Sequence, residues 1–124
     1  MDLSAKIYTI FAVLWYTLCI YILRRQNMNR LEKARLAINE ADAQIAQLFE
    51  KRMHAAEDVV AYKLENNLPV YDAAREAEVI ERNLAKICDE KLKPYYEDML
   101  MQLMRISKEY QNAIIENGST DTEK

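Results

Sequence analysis

Apolar and polar positions recur with helical periodicity along most of the chain. From Leu31 onward, apolar residues fall at heptad multiples with small or apolar residues beside them: Leu31, Ile38, Ile45 and Val59, accompanied by Ala34, Ala41, Leu48 and Ala55. This pattern predicts one long amphipathic helix, which starts near Gln26–Asn29 and runs to about Asn66. The helix is expected to end there because the following Asn67-Leu68-Pro69 disfavours continuation.

Two further helices are predicted downstream. Asp72 is a candidate N-cap for a second helix from Ala73 to about Asp89, and Pro94 starts a third that runs roughly to Ile115. Their apolar faces comprise Val79, Ile80, Leu84 and Ile87, and then Tyr96, Leu100, Leu103, Tyr110 and Ile114. One glycine and two prolines leave little turn material, so the composition also favours an all-α fold.

A different pattern precedes these helices, since Ile7 to Leu23 is uncharged and is followed by Arg24-Arg25. At about 1.5 Å per residue this run just spans a bilayer core, and no small-residue cleavage signature follows it. We expect a membrane anchor through residues 5–25, with the basic residues behind it holding the rest of the chain in the cytoplasm. An export signal, or a helix that packs on protein, remains an alternative.

The predicted organisation therefore has three parts: an anchor and joint at 1–28, a helical domain at 29–117 and a disordered tail at 118–124. The formal net charge is −3, and the basic excess of the first 28 residues makes the remainder more acidic still. Such a domain is a poor candidate for sequence-independent nucleic-acid binding. Cys19, Cys88 and His54 make neither a metal site nor a disulfide scaffold.

All three helices of the domain place polar groups on a packing face. These are Arg35, Arg52 and Lys63 on the first, Glu76 on the second, and Ser107 and Gln111 on the third. One such residue would ordinarily be a satisfied core polar group, but six together predict a lined pocket for a small polyanion. The chain shows no Ser/His/Asp or Cys/His set and no phosphate loop. Chemistry in this pocket would therefore act by positioning and electrostatics.

Helix geometry separates the three cations. Arg52 and Lys63 differ by only about 20° in phase, so one face presents both of them. Arg35 is about 100° out of phase with Arg52 and ~25 Å from it along the helix axis. One helix cannot aim both arginines at one small ligand, so Arg35 should serve a different site.

These residues lie in segments that resemble the all-helical chorismate mutases. The segments are Arg35-x-x-Ile38-x-x-x-Asp42, Glu50-Lys51-Arg52-Met53, Tyr62-Lys63-Leu64-Glu65-Asn66, Leu68 through Asp72-x-x-Arg75-Glu76, and Ser107-x-x-x-Gln111. The resemblance covers roughly Leu31 to Gln111, and the segments are specific as a set, although each one alone would be weak. It implies rearrangement of chorismate to prephenate, toward phenylalanine and tyrosine, without a cofactor or a metal.

The resemblance also implies a quaternary structure and a role for each residue. Three-helix chains would form a homodimer with entwined first helices, and Arg35 would cross to the partner's site. There Arg35 and Arg52 would hold the substrate carboxylates, while Lys63 and Gln111 would face the ether oxygen. The remaining roles are ring-hydroxyl contacts from Glu76 and the backbone near Asp72, a carboxylate contact from Ser107, and electrostatic support from Arg75. Most members are soluble, so the N-terminal run is a departure.

Two other functions compete with the mutase. An isochorismate pyruvate lyase of the same fold is one, but it resembles this chain less well at Arg75-Glu76. A membrane-tethered helical scaffold that has lost activity is the other, and the completeness of the motif set argues against it. The mutase also fits the residues without the resemblance. A pericyclic rearrangement requires no nucleophile, and fixed donors such as Lys63 and Gln111 can stabilise charge that grows on the ether oxygen.

Overall fold

The computed structural model describes residues 2–120, and side chains through Gly118. The helices are α1 (Leu3–Asn27), α2 (Arg30–Glu65), α3 (Ala73–Leu84), a 3-10 helix (Glu90–Leu92) and α4 (Lys93–Thr120). The described residues include no strand, so the predicted all-α class is confirmed. The chain divides into two compact units, Met1–Gln47 and Leu48–Lys124.

In the first unit, α1 buries none of its residues, and its large apolar side chains are exposed. The helix is long and apolar enough to cross a membrane, although an export signal would meet the same criteria. A reciprocal capping box starts α2 at the predicted joint. The Asn29 side chain accepts from the Glu32 backbone N–H at 2.9 Å, and the Glu32 carboxylate accepts from the Asn29 N–H at 3.0 Å.

The end of α2 lies where the sequence predicted it. The Leu68 N–H donates to the Lys63 carbonyl at 2.8 Å, and Asn67 adopts a positive φ of 53°. Asparagine tolerates this left-handed conformation, which commonly terminates helices. After the short bridge that follows, Asp72 caps α3 by accepting from the Arg75 N–H at 3.0 Å, and the predicted N-cap is confirmed.

The prediction for the end of α3 was wrong, because the helix stops at Leu84 and not near Asp89. Beyond it, the N–H groups of Lys86 and Ile87 bond to carbonyls only three residues back. Asp89 instead caps the 3-10 helix, by accepting from the Lys91 N–H. The end of α4 also differs: residues 118–120, predicted as the start of a tail, are helical, and residues 121–124 lie outside the described part of the chain.

The core of the second unit consists of Ala56 and Val60 from α2 and Leu100 and Met104 from α4. The predicted apolar faces of α3 and α4 are confirmed, since all their members are half-buried or buried. On α2 the sequence placed the stripe one position early, at Ala55 and Val59, and both of these residues are exposed. A 2.6 Å hydrogen bond from the Tyr110 hydroxyl to the Glu57 carboxylate also joins α2 to α4.

The part of α2 that belongs to the first unit carries a row of exposed apolar residues. Leu31, Ile38 and Ile45 each remain 57% exposed in the single chain. They share one face of α2, because they are separated by whole heptads. A contiguous exposed apolar surface of this kind often marks a site of contact with another molecule.

Candidate active site

A cavity of about 250 Å³ lies in the second unit, between α2, α3 and α4. Seven of the eight predicted site residues line it: Arg52, Lys63, Asp72, Arg75, Glu76, Ser107 and Gln111. Its apolar walls include Ala56, Val79 and Met104. Pockets for drug-sized molecules typically have volumes from about 300 Å³ upward, so a slightly smaller cavity suits a small ligand.

Arg35 is not among the residues that line this cavity. It is exposed on α2 in the first unit, where it lines a groove together with Arg24, Arg25 and Glu32. That Arg35 serves a different site stays a prediction, and so does its crossing to a partner.

Arg52 is half-buried, and no group among the described residues accepts a hydrogen bond from its guanidinium. Burial lowers the pKa of Arg52, and the nearby positive charge of Arg75 lowers it further. Arginine nevertheless stays protonated, because its ordinary pKa lies far above neutrality. A partly desolvated cation without an acid is unfavourable, so the site favours an anion at this position.

Lys63 is held in place by the bridge between α2 and α3. Its Nζ donates to the Val70 carbonyl at 2.6 Å, which is the hydrogen bond that this side chain makes. An ammonium group carries three donors, so two remain for a ligand. The lysine is half-buried at the cavity wall and is already oriented before any ligand arrives.

The first turn of α3 brings Asp72, Arg75 and Glu76 to the cavity. The Asp72 carboxylate is engaged by the helix N-terminus. The guanidinium of Arg75 donates to Glu78 at 2.9 Å on the exposed side, and this hydrogen bond lowers the pKa of Glu78. Arg75 is thus a rim residue, yet it lies close enough to Arg52 to lower that arginine's pKa.

Ser107 and Gln111 are the buried polar residues of α4, at 8% and 6% exposure. The Gln111 Nε2 donates to the Ser107 carbonyl and contacts the Ser107 hydroxyl, both at 3.2 Å, whereas the Gln111 Oε1 has no partner among the described residues. A buried unpaired carbonyl costs about 1–3 kcal/mol. The amide predicted to face the ether oxygen therefore lacks a donor that a ligand or second chain could supply.

The sequence analysis missed one charged residue of the cavity wall, Lys108. Its Nζ lies 2.7 Å from Glu76 Oε1 and 4.8 Å from the centre of the Tyr71 ring. The available signal was its position one helical turn after Met104 and next to Ser107, which places it beside the buried stripe. With Lys108, the cavity wall carries four cations and two carboxylates, a balance that favours an anionic ligand.

Comparison with known proteins identifies the family. The model of chorismate mutase type II matches residues 34–112, which is more than half of the chain and contains all eight predicted site residues. No curated protein and no solved structure matches the chain. The resemblance found in the sequence motifs is thereby confirmed. The chain belongs to the chorismate mutase type II family, whose members are isomerases.

Proposed function

We propose that the cavity binds chorismate and that the protein rearranges it to prephenate. The observation that carries this assignment is Arg52, a half-buried guanidinium without an acid in a cavity where cations outnumber carboxylates. The substrate is a dianion, so its carboxylates would supply the missing anionic partners. The family supports the reaction in general, and the excess of cations in the cavity supports its assignment to these residues.

The reaction needs a folded substrate and a stabilised ether oxygen. Arg52 would hold one carboxylate of the flexible dianion, with help from Ser107, and so favour the reactive conformation. Lys63 would donate to the ether oxygen as its bond breaks, aided by Gln111. Because the Val70 carbonyl already orients the Lys63 ammonium, little reorganisation would accompany charge development. Glu76 and the backbone near Asp72 would bind the ring hydroxyl, and Arg75 would add positive charge at the rim.

A homodimer would complete each site. The exposed row of Leu31, Ile38 and Ile45 supports an interface along the first half of α2, because such a row is unfavourable in water. The second chain would cover this row with its own α2. Arg35 of the partner subunit would then reach the second carboxylate of the substrate. Two sites per dimer would each draw most of their residues from one chain.

The proposal includes a membrane anchor at the N-terminus. Residues 1–28 would anchor the protein, residues 29–117 would form the mutase domain in the cytoplasm, and the prephenate would feed phenylalanine and tyrosine synthesis. The exposed apolar surface of α1 and the arginines at its end support this orientation. Protease added to intact cells should spare the domain. Its digestion there, or a mature chain that lacks α1, would instead indicate export.

The test is to incubate the purified full-length protein, in detergent, with chorismate and separately with isochorismate. We expect loss of the chorismate absorbance and formation of prephenate. Pyruvate release from isochorismate without prephenate formation would identify a lyase of the same fold. A folded protein that is inactive on both compounds would indicate a scaffold, and either result would contradict the proposal.

A further inference from the structure

We propose that Lys108 is a positioning residue that fixes the Glu76 carboxylate for the substrate and keeps it away from the substrate-binding cations. The inference rests on the proposed function, and it adds a residue that the family motifs in the sequence did not indicate. Lys108 does not need to touch the reacting atoms for this role. It acts through Glu76, which is predicted to accept a hydrogen bond from the ring hydroxyl.

The ion pair between Lys108 and Glu76 differs from the others in the described part of the chain. All of those join residues three or four positions apart, whereas Lys108 and Glu76 connect α4 to the first turn of α3. The Nζ–Oε1 distance is 2.7 Å, and the two side chains are only 31% and 26% exposed. A partly buried pair that links two helices fixes geometry better than an exposed pair within one helix.

The same lysine also contacts the bridge that leads into α3. Its Nζ lies 4.8 Å from the centre of the Tyr71 ring, close enough for a cation–π interaction. From the side of α2, Lys63 donates to the carbonyl of Val70, the preceding residue. Lysines on two different helices therefore hold neighbouring residues of the bridge, immediately before the turn that carries Glu76. Lys108 secures the α4 side of this arrangement.

Without Lys108, Glu76 would face other cations of the same cavity. Lys63 and Arg52 line the cavity too, and the guanidinium of Arg52 has no acid of its own. A carboxylate released from Lys108 could pair with either of them and compete with the substrate carboxylates. The ion pair with Lys108 thus keeps Glu76 from pairing with Lys63 or Arg52, and both of these cations remain available to the substrate carboxylates.

This role predicts a particular kinetic effect. The ring hydroxyl does not change during the rearrangement, so a contact to it stabilises substrate and transition state alike. Loss of such uniform binding raises KM and leaves kcat nearly unchanged. A hydrogen bond that involves a charged group typically changes binding by about tenfold to a hundredfold. The KM for chorismate should rise by that factor when Lys108 loses its charge.

The experiment compares Lys108→Met, Lys108→Arg, Glu76→Gln and the Lys108→Met/Glu76→Gln double variant as full-length proteins in detergent. Lys108→Met should raise KM about tenfold or more, and Lys108→Arg should restore much of the loss because it keeps the cation. The double variant should be no worse than Glu76→Gln, since Lys108 acts through that carboxylate. Lys93→Met is the matched control: this lysine has the same 31% exposure and a 2.6 Å ion pair with Glu90, but it lies outside the cavity. Its kinetics should equal those of the wild type.

Three results would overturn the inference while the mutase assignment stands. The first is a wild-type KM in Lys108→Met. The second is an additive loss in the double variant, which would mean that Lys108 meets the substrate directly. The third is loss of helical circular dichroism in both Lys108→Met and a second neutral variant, Lys108→Gln, which would assign Lys108 to folding. A wild-type protein without mutase activity would overturn both proposals together.

Discussion

The two halves of α2 carry the same amphipathic pattern but lie in different environments. In the half that belongs to the second unit, Ala56 and Val60 are buried, and Arg52 and Lys63 line a cavity. In the half that belongs to the first unit, every residue except Leu36 is exposed, including the apolar row of Leu31, Ile38 and Ile45. Periodicity therefore predicts that a helical face will be covered, but it does not say whether the same chain covers it.

The largest effect should follow from changing Lys63 in the covered half. Loss of one fixed donor to a developing oxyanion typically lowers the rate by about 10²–10³. We expect Lys63→Ala to lower kcat by that factor and to keep the helical circular dichroism. Lys51→Ala is the control, because Lys51 is exposed on the same half and does not line the cavity. An Lys63→Ala variant that failed to fold would make Lys63 structural and the site assignment wrong.

The next effect should come from the uncovered half. Ile45→Glu would place two like charges in a symmetric apolar interface, where an unpaired buried carboxylate is unfavourable. We expect monomers by sedimentation in detergent and a fall in activity of about tenfold or more, because Arg35 would no longer reach a partner. Gln44→Glu adds the same charge beside this row and should leave the dimer intact. Active monomers of Ile45→Glu would show that one chain makes a whole site.

The smallest effect concerns stability in the covered half. The hydrogen bond from Tyr110 lowers the pKa of Glu57, and the same bond raises the pKa of Tyr110. Because the pKa of Glu57 is lower in the folded than in the unfolded protein, its interaction with Tyr110 stabilises the fold fully above the unfolded-state pKa. This stabilisation is lost as the pH falls through the folded-state pKa of Glu57. Because the pKa of Tyr110 is higher in the folded than in the unfolded protein, the same interaction stabilises the fold fully below the unfolded-state pKa of Tyr110. This stabilisation is lost as the pH rises through the folded-state pKa of Tyr110. The bond therefore contributes between these limits, around neutral pH.

Tyr110→Phe should lower the melting temperature slightly at neutral pH and should not lower it in acid, where Glu57 is protonated in both proteins. The measurement is thermal unfolding by circular dichroism across pH. Tyr95→Phe is the control, because Tyr95 is exposed near the start of α4 and should show no such difference. A Tyr110→Phe deficit that persisted unchanged in acid would mean that packing, and not this hydrogen bond, causes it.

Local chemistry explains why the sequence predicted some parts of the molecule well. The Asp72 cap and the Asn67-Leu68-Pro69 stop act within a few residues, so their outcome is readable from the chain. The end of α3 was missed because Asp89 had two possible roles. As a cap for the 3-10 helix it engages the Lys91 N–H, and the periodic apolar pattern through Ile87 concealed this competition.

The candidate site was readable where a polar residue interrupts an apolar stripe, as Ser107 and Gln111 do on α4. Lys108 was missed because it lies beside its stripe and not within it. Its place in the cavity depends on Glu76, which is distant in sequence and comes near only when α3 packs on α4. The apolar pattern of α4 by itself does not indicate this contact with α3.

We propose that each site combines most of one chain with Arg35 of the partner subunit. Refolding Arg35→Ala together with Lys63→Ala tests it directly, since each variant alone should be nearly inactive. In a mixed dimer, the site built on the Arg35→Ala chain keeps its own Lys63 and receives an intact arginine from the other chain. The second site of that dimer lacks both.

Random pairing makes about half of the dimers mixed, each with one working site, so activity should return to roughly a quarter of wild type. Arg52→Ala refolded with Lys63→Ala should recover nothing, because every site would then lack one of these two residues. The activity is followed by the loss of chorismate absorbance, and mixed dimers are verified with differently tagged chains. Recovery in the second mixture, or none in the first despite verified mixed dimers, would contradict the shared site.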